Sequence, residues 1–353
     1  MNPLLTAPHQ PDPYALYAQL RAAHPTGLHH DAELKLWVAS SAAAVEAVLR
    51  HPALRVRPPA EPVPASVADT PSGALFGGLM RQNDGPVHQR GKAWATAFLQ
   101  RDWPIGDAVR TVVREGARPA VAPLNALLFE APVRVLWALV HGGEAGELPG
   151  DVRAVIASWS PTADAATRSA GSDAATRLLA RCEGDANRVG LFTQTCEATA
   201  GLMGAVLVAL QREPGLLARW LADPALDEAL ALEVARHDPP VQNTRRFAAD
   251  DGEVHGRRVQ AGDAILVLLA SANRDPAANP EPERFDLHRT HPRCFTWGLG
   301  GHACPGAALS RGIAMALLRA WHDDDAVRLD TITRRWHHRP SPNGRLAQFD
   351  AAA

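Results

Sequence analysis

The chain has 353 residues, 46% of them apolar and 5% aromatic, with a formal net charge of −2 at neutral pH. That size and apolar content support a large core, and the near-neutral charge gives no electrostatic reason for a nucleic-acid or anionic-membrane partner. Cys182, Cys196, Cys294 and Cys304 form no C-x-x-C pair and no H-x-x-x-H accompanies them, which argues against zinc.

The N-terminus, MNPLLTAPHQPDPYALY, has no long apolar run. Neither a signal peptide nor a membrane anchor is read there, and a soluble, cytoplasmic protein with reduced thiols is expected. Ala, Leu, Arg and Pro are abundant, which favours helix with many breaks. Asp12-Pro13 before YALYAQLRAAH predicts a capped amphipathic helix. Leu36–Ala39 predicts a short strand, and Ser40 or Ser41 can cap the helix AAAVEAVLR. From Arg57 to about Gly78 the Pro-, Ala- and Ser-rich composition predicts a long loop, and such loops are often functional. A helix follows Asp84-Gly85-Pro86 through Leu99, with His88 and Lys92 on one face. Helical spacing continues over residues 107–141, where Pro119, Pro123 and Pro132 are expected to break the run. Asp164-Ala-Ala-Thr-Arg168 recurs as Asp173-Ala-Ala-Thr-Arg177, which reads as compositional drift and not as a repeat architecture.

Val189, Phe192, Cys196, Thr199, Met203, Val206 and Leu210 mark one face of a long buried helix. LDEALALEVARHDPP is a further helix carrying Glu233 and Arg236 at i,i+3, by itself a common surface pair. Val254–Val259, the turn Ala261-Gly262-Asp263 and the apolar run Ala264–Ala270 read as strands around a turn. Ala307–Trp321 reads as a helix, and the Arg-rich tail 328–345 as a short hairpin. The expected fold is mainly α with a small β region, one unit over residues 1–353 with strands near 28–60 and 244–275.

The densest signal is Phe295–Arg311, FTWGLGGHACPGAALSR. Glycine lets backbone approach a flat ligand closely, and Pro305-Gly306 before an Ala/Leu run reads as a helix start. Cys304 thus stands where a glycine loop enters a helix, a place whose free N–H groups and dipole favour a thiolate. A thiolate so placed suits an axial ligand of haem iron, although a lone cysteine in a glycine loop is more often structural.

Gly298, Gly300, His302, Cys304 and Gly306 at alternate positions, followed by Arg311, resemble the haem-binding loop of the cytochrome P-450 family, the haem-thiolate monooxygenases. The resemblance runs from the first helix to the tail and is to the soluble bacterial type, in an unusually short form. It implies the family fold, a triangular helical prism with haem b between a distal and a proximal helix, and Cys304 as the iron ligand. Trp297 stands where the family usually has Phe. The resemblance assigns His88, Lys92, Arg246 (with Arg245 as fallback) and His302 to the haem propionates, Lys92 replacing the usual Arg. Glu233, Arg236 and Arg284, the last from Pro282-Glu283-Arg284-Phe285, would form a buried charged triad.

QTCEATAGLMG, residues 194–204, resembles the distal helix, which usually shows small residues, an acid and then Thr. Here Glu197 is the acid, Ala198 takes the place of the Thr, and Thr199 is turned by about 100° around the axis. Gln194 and Thr195 replace the small pair. The implied activity is insertion of one oxygen atom from O2 into a small organic substrate in secondary metabolism or catabolism, with atypical proton delivery. Alternatives are oxidative coupling, desaturation, rearrangement or peroxide-driven oxidation, and, in another class, a haem sensor or binder. With no flavin or iron–sulfur motif, a ferredoxin and its reductase are the expected electron donors, docking where Arg293, Arg311 and Arg319 could form a basic patch. Segments near 57–80 and 150–185 are expected to be loops facing the pocket.

Overall fold

A computed structural model describes residues 2–119, 123–323, 333 and 335–350. In chain order, α1 (Pro3–Thr6) and α2 (Tyr14–Ala23) lead to β1 (Leu28–Asp31), β2 (Leu36–Ala39), α3 (Ala42–Arg50) and β3 (Leu54–Arg55). A helical stretch follows: α4 (Pro71–Gly78), α5 (Gly85–Leu99), α6 (Ile105–Arg114), α7 (Leu124–His141), α8 (Leu148–Ser158), α9 (Ala165–Arg181), α10 (Ala186–Arg212), α11 (Leu216–Ala222) and α12 (Leu226–His237). Then come β4 (Thr244–Ala248), β5 (Gly252–Val254), β6 (Arg257–Val259), β7 (Ala264–Val267), α13 (Leu269–Asn273), α14 (Ala307–His322), β8 (Trp336–His338) and β9 (Ala347–Phe349).

Local chemistry explains many boundaries. Asp12 Oδ1 accepts from Tyr14 N ahead of α2, and Ser41, not Ser40, caps α3 by accepting from Ala44 N. Asp164 caps α9 through Thr167 N, so the first of the two Asp-Ala-Ala-Thr-Arg copies starts the helix that contains the second. Four sequence expectations are corrected. The predicted loop 57–78 ends earlier, because Thr70 caps α4 and Pro71 opens it. Pro132 lies inside α7 and does not break it; Ala131, Pro132 and Val133 are buried, and packing on both sides holds the helix across the lost hydrogen bond. The run 264–270 is not all strand, since β7 ends at Val267 and α13 begins at Leu269. Likewise, most of 150–185 is helix α8 and α9.

The main sheet has the order β1-β2-β7-β4-β3, so strands from both expected β regions meet in it. β2 runs parallel to β7, with Val38 opposite Leu266, and the other pairings are antiparallel. β5–β6 and β8–β9 are separate hairpins. The tail hairpin therefore exists over Trp336–Phe349, while residues 328–332 and 334 lie outside the described residues.

α10 is the axis of the helical part. At 27 residues it is about 40 Å long. Val189, Phe192, Cys196, Thr199, Met203 and Val206 are fully buried, and Leu210 nearly so, in one cluster with the inner faces of α7, α8, α12 and α14 or beside it. Gly201 lets Pro240 and Leu346 approach; a Cβ there would lie 2.7 Å from Pro240 Cβ. α7 and α10 are long and apolar enough to cross a membrane by length and composition, yet 72% of the window in α10 is buried inside the protein. Its apolarity is thus used in packing against neighbouring helices.

Candidate functional site

Cys304 and α10 form opposite walls of one cleft. The loop before Cys304 depends on Gly298 and Gly300, whose φ angles are +67° and +66°. A bond from Cys304 N to Trp297 O, 2.7 Å, closes the loop, and α14 starts three residues after Cys304. Facing it along α10 are Gly190, Leu191, Gln194, Thr195, Ala198 and Thr199; the cleft encloses about 80 Å³ and is mostly apolar. By surface accessibility Cys304 is exposed, yet burial among protein groups pushes its thiol up. Both hold when the sulfur opens onto an internal cleft and not onto bulk water. The Gly306 N–H at the helix start favours the thiolate, together with Lys92, Arg81 and Arg311, while burial opposes it and sets the net direction.

Beside the cleft lies a basic pocket of about 360 Å³, whose lining includes Arg57, Arg81, Arg245, Arg246 and His302. Arg246 is 7% exposed and donates only to the carbonyl of Arg245, so burial lowers its pKa. His302 bonds Asp84 at 3.0 Å and stacks on His88 at 3.8 Å between ring centroids. Lys92 donates to the carbonyl of Ala303, next to Cys304. The four residues assigned to the propionates thus converge on the Cys304 loop or the adjoining pocket. Sequence reasoning missed Arg81, which has no charge-pair signature in the chain; only the fold carries it to this pocket.

His88 gives a test by pH. Burial first, then His302 and Lys92, lower its pKa to about 4, with Asp84 opposing. The folded ring stays neutral down to that value, whereas the unfolded ring protonates below about 6.5. Folding stability of the haem-free chain should therefore fall as pH drops from about 6.5 towards 4. Urea midpoints of wild type and His88→Asn across that range should converge at the acid end; parallel curves would refute the assignment.

The distal candidates separate. Gln194 and Ala198 line the cleft, and the Gln194 amide has no protein hydrogen-bond partner among the described residues. Thr195 donates its hydroxyl to Leu191 O at 2.6 Å. Thr199 lines the cleft but is tied to Ser310 of α14 at 2.8 Å. Glu197 is not in the lining; it pairs with Arg339 at the tip of the tail hairpin and borders a neighbouring pocket with Asn125, Phe129 and Leu346. A turn of about 100° per residue accounts for Glu197 leaving the cleft while Gln194, Ala198 and Thr199 line it.

The buried charged network differs from the expectation in one member. Glu233 takes two bonds of 2.7 Å from Arg236, and both are at most 2% exposed. The third side chain is Arg289, whose Nε lies 3.2 Å from Glu233 Oε1. Arg284 is the correction: its side chain is 62% exposed and near Glu281 and Asp286, while only its carbonyl accepts from Arg236. The expected basic patch is also corrected, since Arg293 pairs with Glu46, Arg311 with Glu228 and Arg319 with Asp227.

A larger cavity, about 550 Å³, lies elsewhere, between α2, α12 and the tail. Its charges satisfy one another: Tyr14 Oη and Arg345 Nε both bond Asp238 at 2.5 Å, and Arg274 caps the Tyr14 ring. It ties the chain ends together and is remote from Cys304.

The lining of the cleft has the chemistry an iron porphyrin requires, although its volume of about 80 Å³ is smaller than that group and its walls would have to part to admit it. A soft sulfur donor faces a mostly apolar helix wall, and Gly298, Gly300 and Gly306 keep the loop's surface free of side chains. Trp297 Nε1, on the same wall, is buried with no partner, and uncompensated guanidinium groups flank one side.

Comparison with known proteins is concordant. Residues 225–319 match the family model described as cytochrome P-450. The putative cytochrome P-450 140 of Mycobacterium tuberculosis is 40% identical over 128 residues, covering 36% of this chain and 29% of that protein. The 20-oxo-5-O-mycaminosyltylactone 23-monooxygenase of Streptomyces fradiae is 35% identical over 125 residues, covering 35% of this chain and 30% of that protein. The aligned segments thus span less than a third of those relatives. The crystal structure of P-450BioI, in complex with a hexadec-9Z-enoic acid-ligated acyl carrier protein, superposes with a TM-score of 0.78 at 21% identity, covering 96% of this chain and 97% of that one. CalO2 gives 0.77 at 21% identity, covering 99% and 97%. At that identity the likeness establishes the fold.

Proposed function

We propose that the chain is a member of the cytochrome P-450 family, whose model its residues 225–319 match, and a haem-thiolate monooxygenase acting on a small organic substrate, in the cytoplasm, in secondary metabolism or catabolism. The observation that carries this reading is the Cys304 sulfur opening onto a cleft whose far wall is the Gln194–Ala198 face of α10. Haem b bound there would supply the activation of O2. Cys304 would hold its iron, Arg246 and Lys92 would neutralise its carboxylates, and His302 and His88 would offer them hydrogen bonds. Gly298 and Gly306 would keep the loop flat, and Trp297 would wall the sulfur side. Electrons would come from a ferredoxin served by its reductase, docking through some feature other than the three paired arginines.

The residues on the distal wall set the proton route. Ala198 brings no hydroxyl, Thr199 holds Ser310, and Glu197 holds Arg339 outside the cleft. The unpartnered Gln194 amide is therefore the group proposed to orient water or substrate above the cysteine. That same geometry favours a second reading, in which the enzyme carries out peroxide-driven oxidation, coupling, desaturation or rearrangement and has little need of a relay. The test of family chemistry is the carbon monoxide difference spectrum of the reduced, haem-loaded protein. To separate the two readings, Gln194→Leu should lower the ratio of product to released peroxide several-fold if the amide serves a relay, a general acid–base contribution being about 100-fold or more when complete. Ala198→Thr should raise the ratio. An unchanged ratio in both variants would exclude a relay through this face.

A further inference from the structure

The basic pocket holds more positive charge than the proposed propionate set uses. Arg57, Arg81, Arg245 and Arg246 all line it, and no carboxylate does. The nearby Asp84 is already engaged by His302 and by Val56 N. Arg57 is satisfied by the carbonyls of Glu61 and Pro62 and by the Phe76 ring. Arg81 has no hydrogen bond or ion pair among the described residues, and the side chain of Arg245 likewise makes none.

Arg81 is also firmly placed. Its turn is clamped on three sides: Met80 N donates to Asn187 Oδ1 in the first turn of α10, Asn83 Nδ2 bonds the carbonyls of Gly77 and Leu79, and α5 packs so close that a Cβ on Gly91 would lie 2.6 Å from Met80 Cβ. Met80 itself lines the Cys304 cleft, so Arg81 leaves the backbone where cleft and basic pocket adjoin. Arg81 itself lines the basic pocket and not the cleft, so it approaches the space beside the cysteine from the pocket side.

We propose that Arg81, supported by Arg245, binds a carboxylate on the substrate, whose apolar body lies along the Leu191–Ala198 wall of α10. This rests on the haem-thiolate reading and deepens it by naming an apolar organic acid as the substrate class. An Arg–carboxylate contact in a walled site is strong and oriented.

The experiment measures binding of radiolabelled decanoate and 4-phenylbutyrate, and of their primary amides, by equilibrium dialysis to the purified full chain. Haem uptake and the carbon monoxide spectrum are recorded on the same samples. The expected result is that wild type prefers at least one acid to its amide by roughly tenfold or more, as for a hydrogen bond to a charged group. Arg81→Gln should lose that preference, Arg81→Lys should restore part of it, and added salt should weaken the acids only. Haem uptake should be unchanged by Arg81→Gln. If Arg81→Gln lowers haem affinity and leaves the acid/amide preference intact, Arg81 is a propionate ligand and the proposal is overturned. It is overturned equally if wild type shows no preference for either acid. Failure of wild type to take up haem would defeat the haem-thiolate reading, while dialysis would still decide the anion site.

Discussion

Cys304→Ala is expected to abolish the Soret band of the reduced carbon monoxide complex for which the family is named, with the chain still folded. The sulfur's contact with the Gly306 N–H is local, and the bond closing the loop runs between the backbone of Cys304 and Trp297. The loop's positive φ angles lie at Gly298 and Gly300 and not at position 304. The substitution should therefore leave the far-ultraviolet circular dichroism and urea midpoint within about 0.5 kcal/mol of wild type, the usual range for a site away from core packing. What it removes is the thiolate donor: the lining holds no histidine, carboxylate or second cysteine, and its other sulfur, Met80, is a neutral thioether that gives no thiolate spectrum. An unchanged spectrum in this variant would end the haem-thiolate account.

Glu233→Ala should be among the most destabilising single changes in the protein, by about 3–5 kcal/mol, because it leaves two guanidinium groups without their shared carboxylate in a buried site. Arg236 is fully buried and also donates to the carbonyls of Pro282 and Arg284, so it cannot swing out to water. Glu233 Oε1 also accepts from Asp286 N, which would be left open as well. Arg289→Ala should cost less, since its side chain is 12% exposed and the remaining pair is intact. Arg284→Ala should fall within about 0.5 kcal/mol of wild type, as for an exposed side chain in loose ion pairs. Chemical denaturation of the three variants checks the order. A large effect at Arg284 with none at Arg289 would restore the triad expected from the sequence.

The arginine exchange shows where reading the sequence alone stops. Two arginines, Arg284 and Arg289, flank the same turn. A resemblance selects the one in the Pro-Glu-Arg-Phe stretch, but the turn's backbone directs that side chain outward and brings Arg289 under Glu233. The same holds for the arginines near Cys304. Their number is visible in the chain, whereas their acidic partners Glu46, Glu228 and Asp227 come from distant segments. In α4 and α7 local chemistry misled differently: proline signals a break, yet Pro71 opens one helix and Pro132 is carried inside another by burial on both sides.

Local and periodic information sufficed for the mainly helical architecture, the long axis helix, the Ser41 cap of α3, and the placement of Cys304 in a glycine loop ahead of a helix. These depend on neighbours within a few residues or on one repeating face, so they are written in the chain. The fold alone decided that Glu197 turns away to Arg339 while Gln194 and Ala198 face the sulfur, that Thr199 is held by Ser310, and that Arg81 reaches the site at all. Those outcomes depend on which side of α10 meets the cysteine loop and which meets the tail hairpin. Packing of segments more than a hundred residues apart sets that rotation, and no local pattern encodes it.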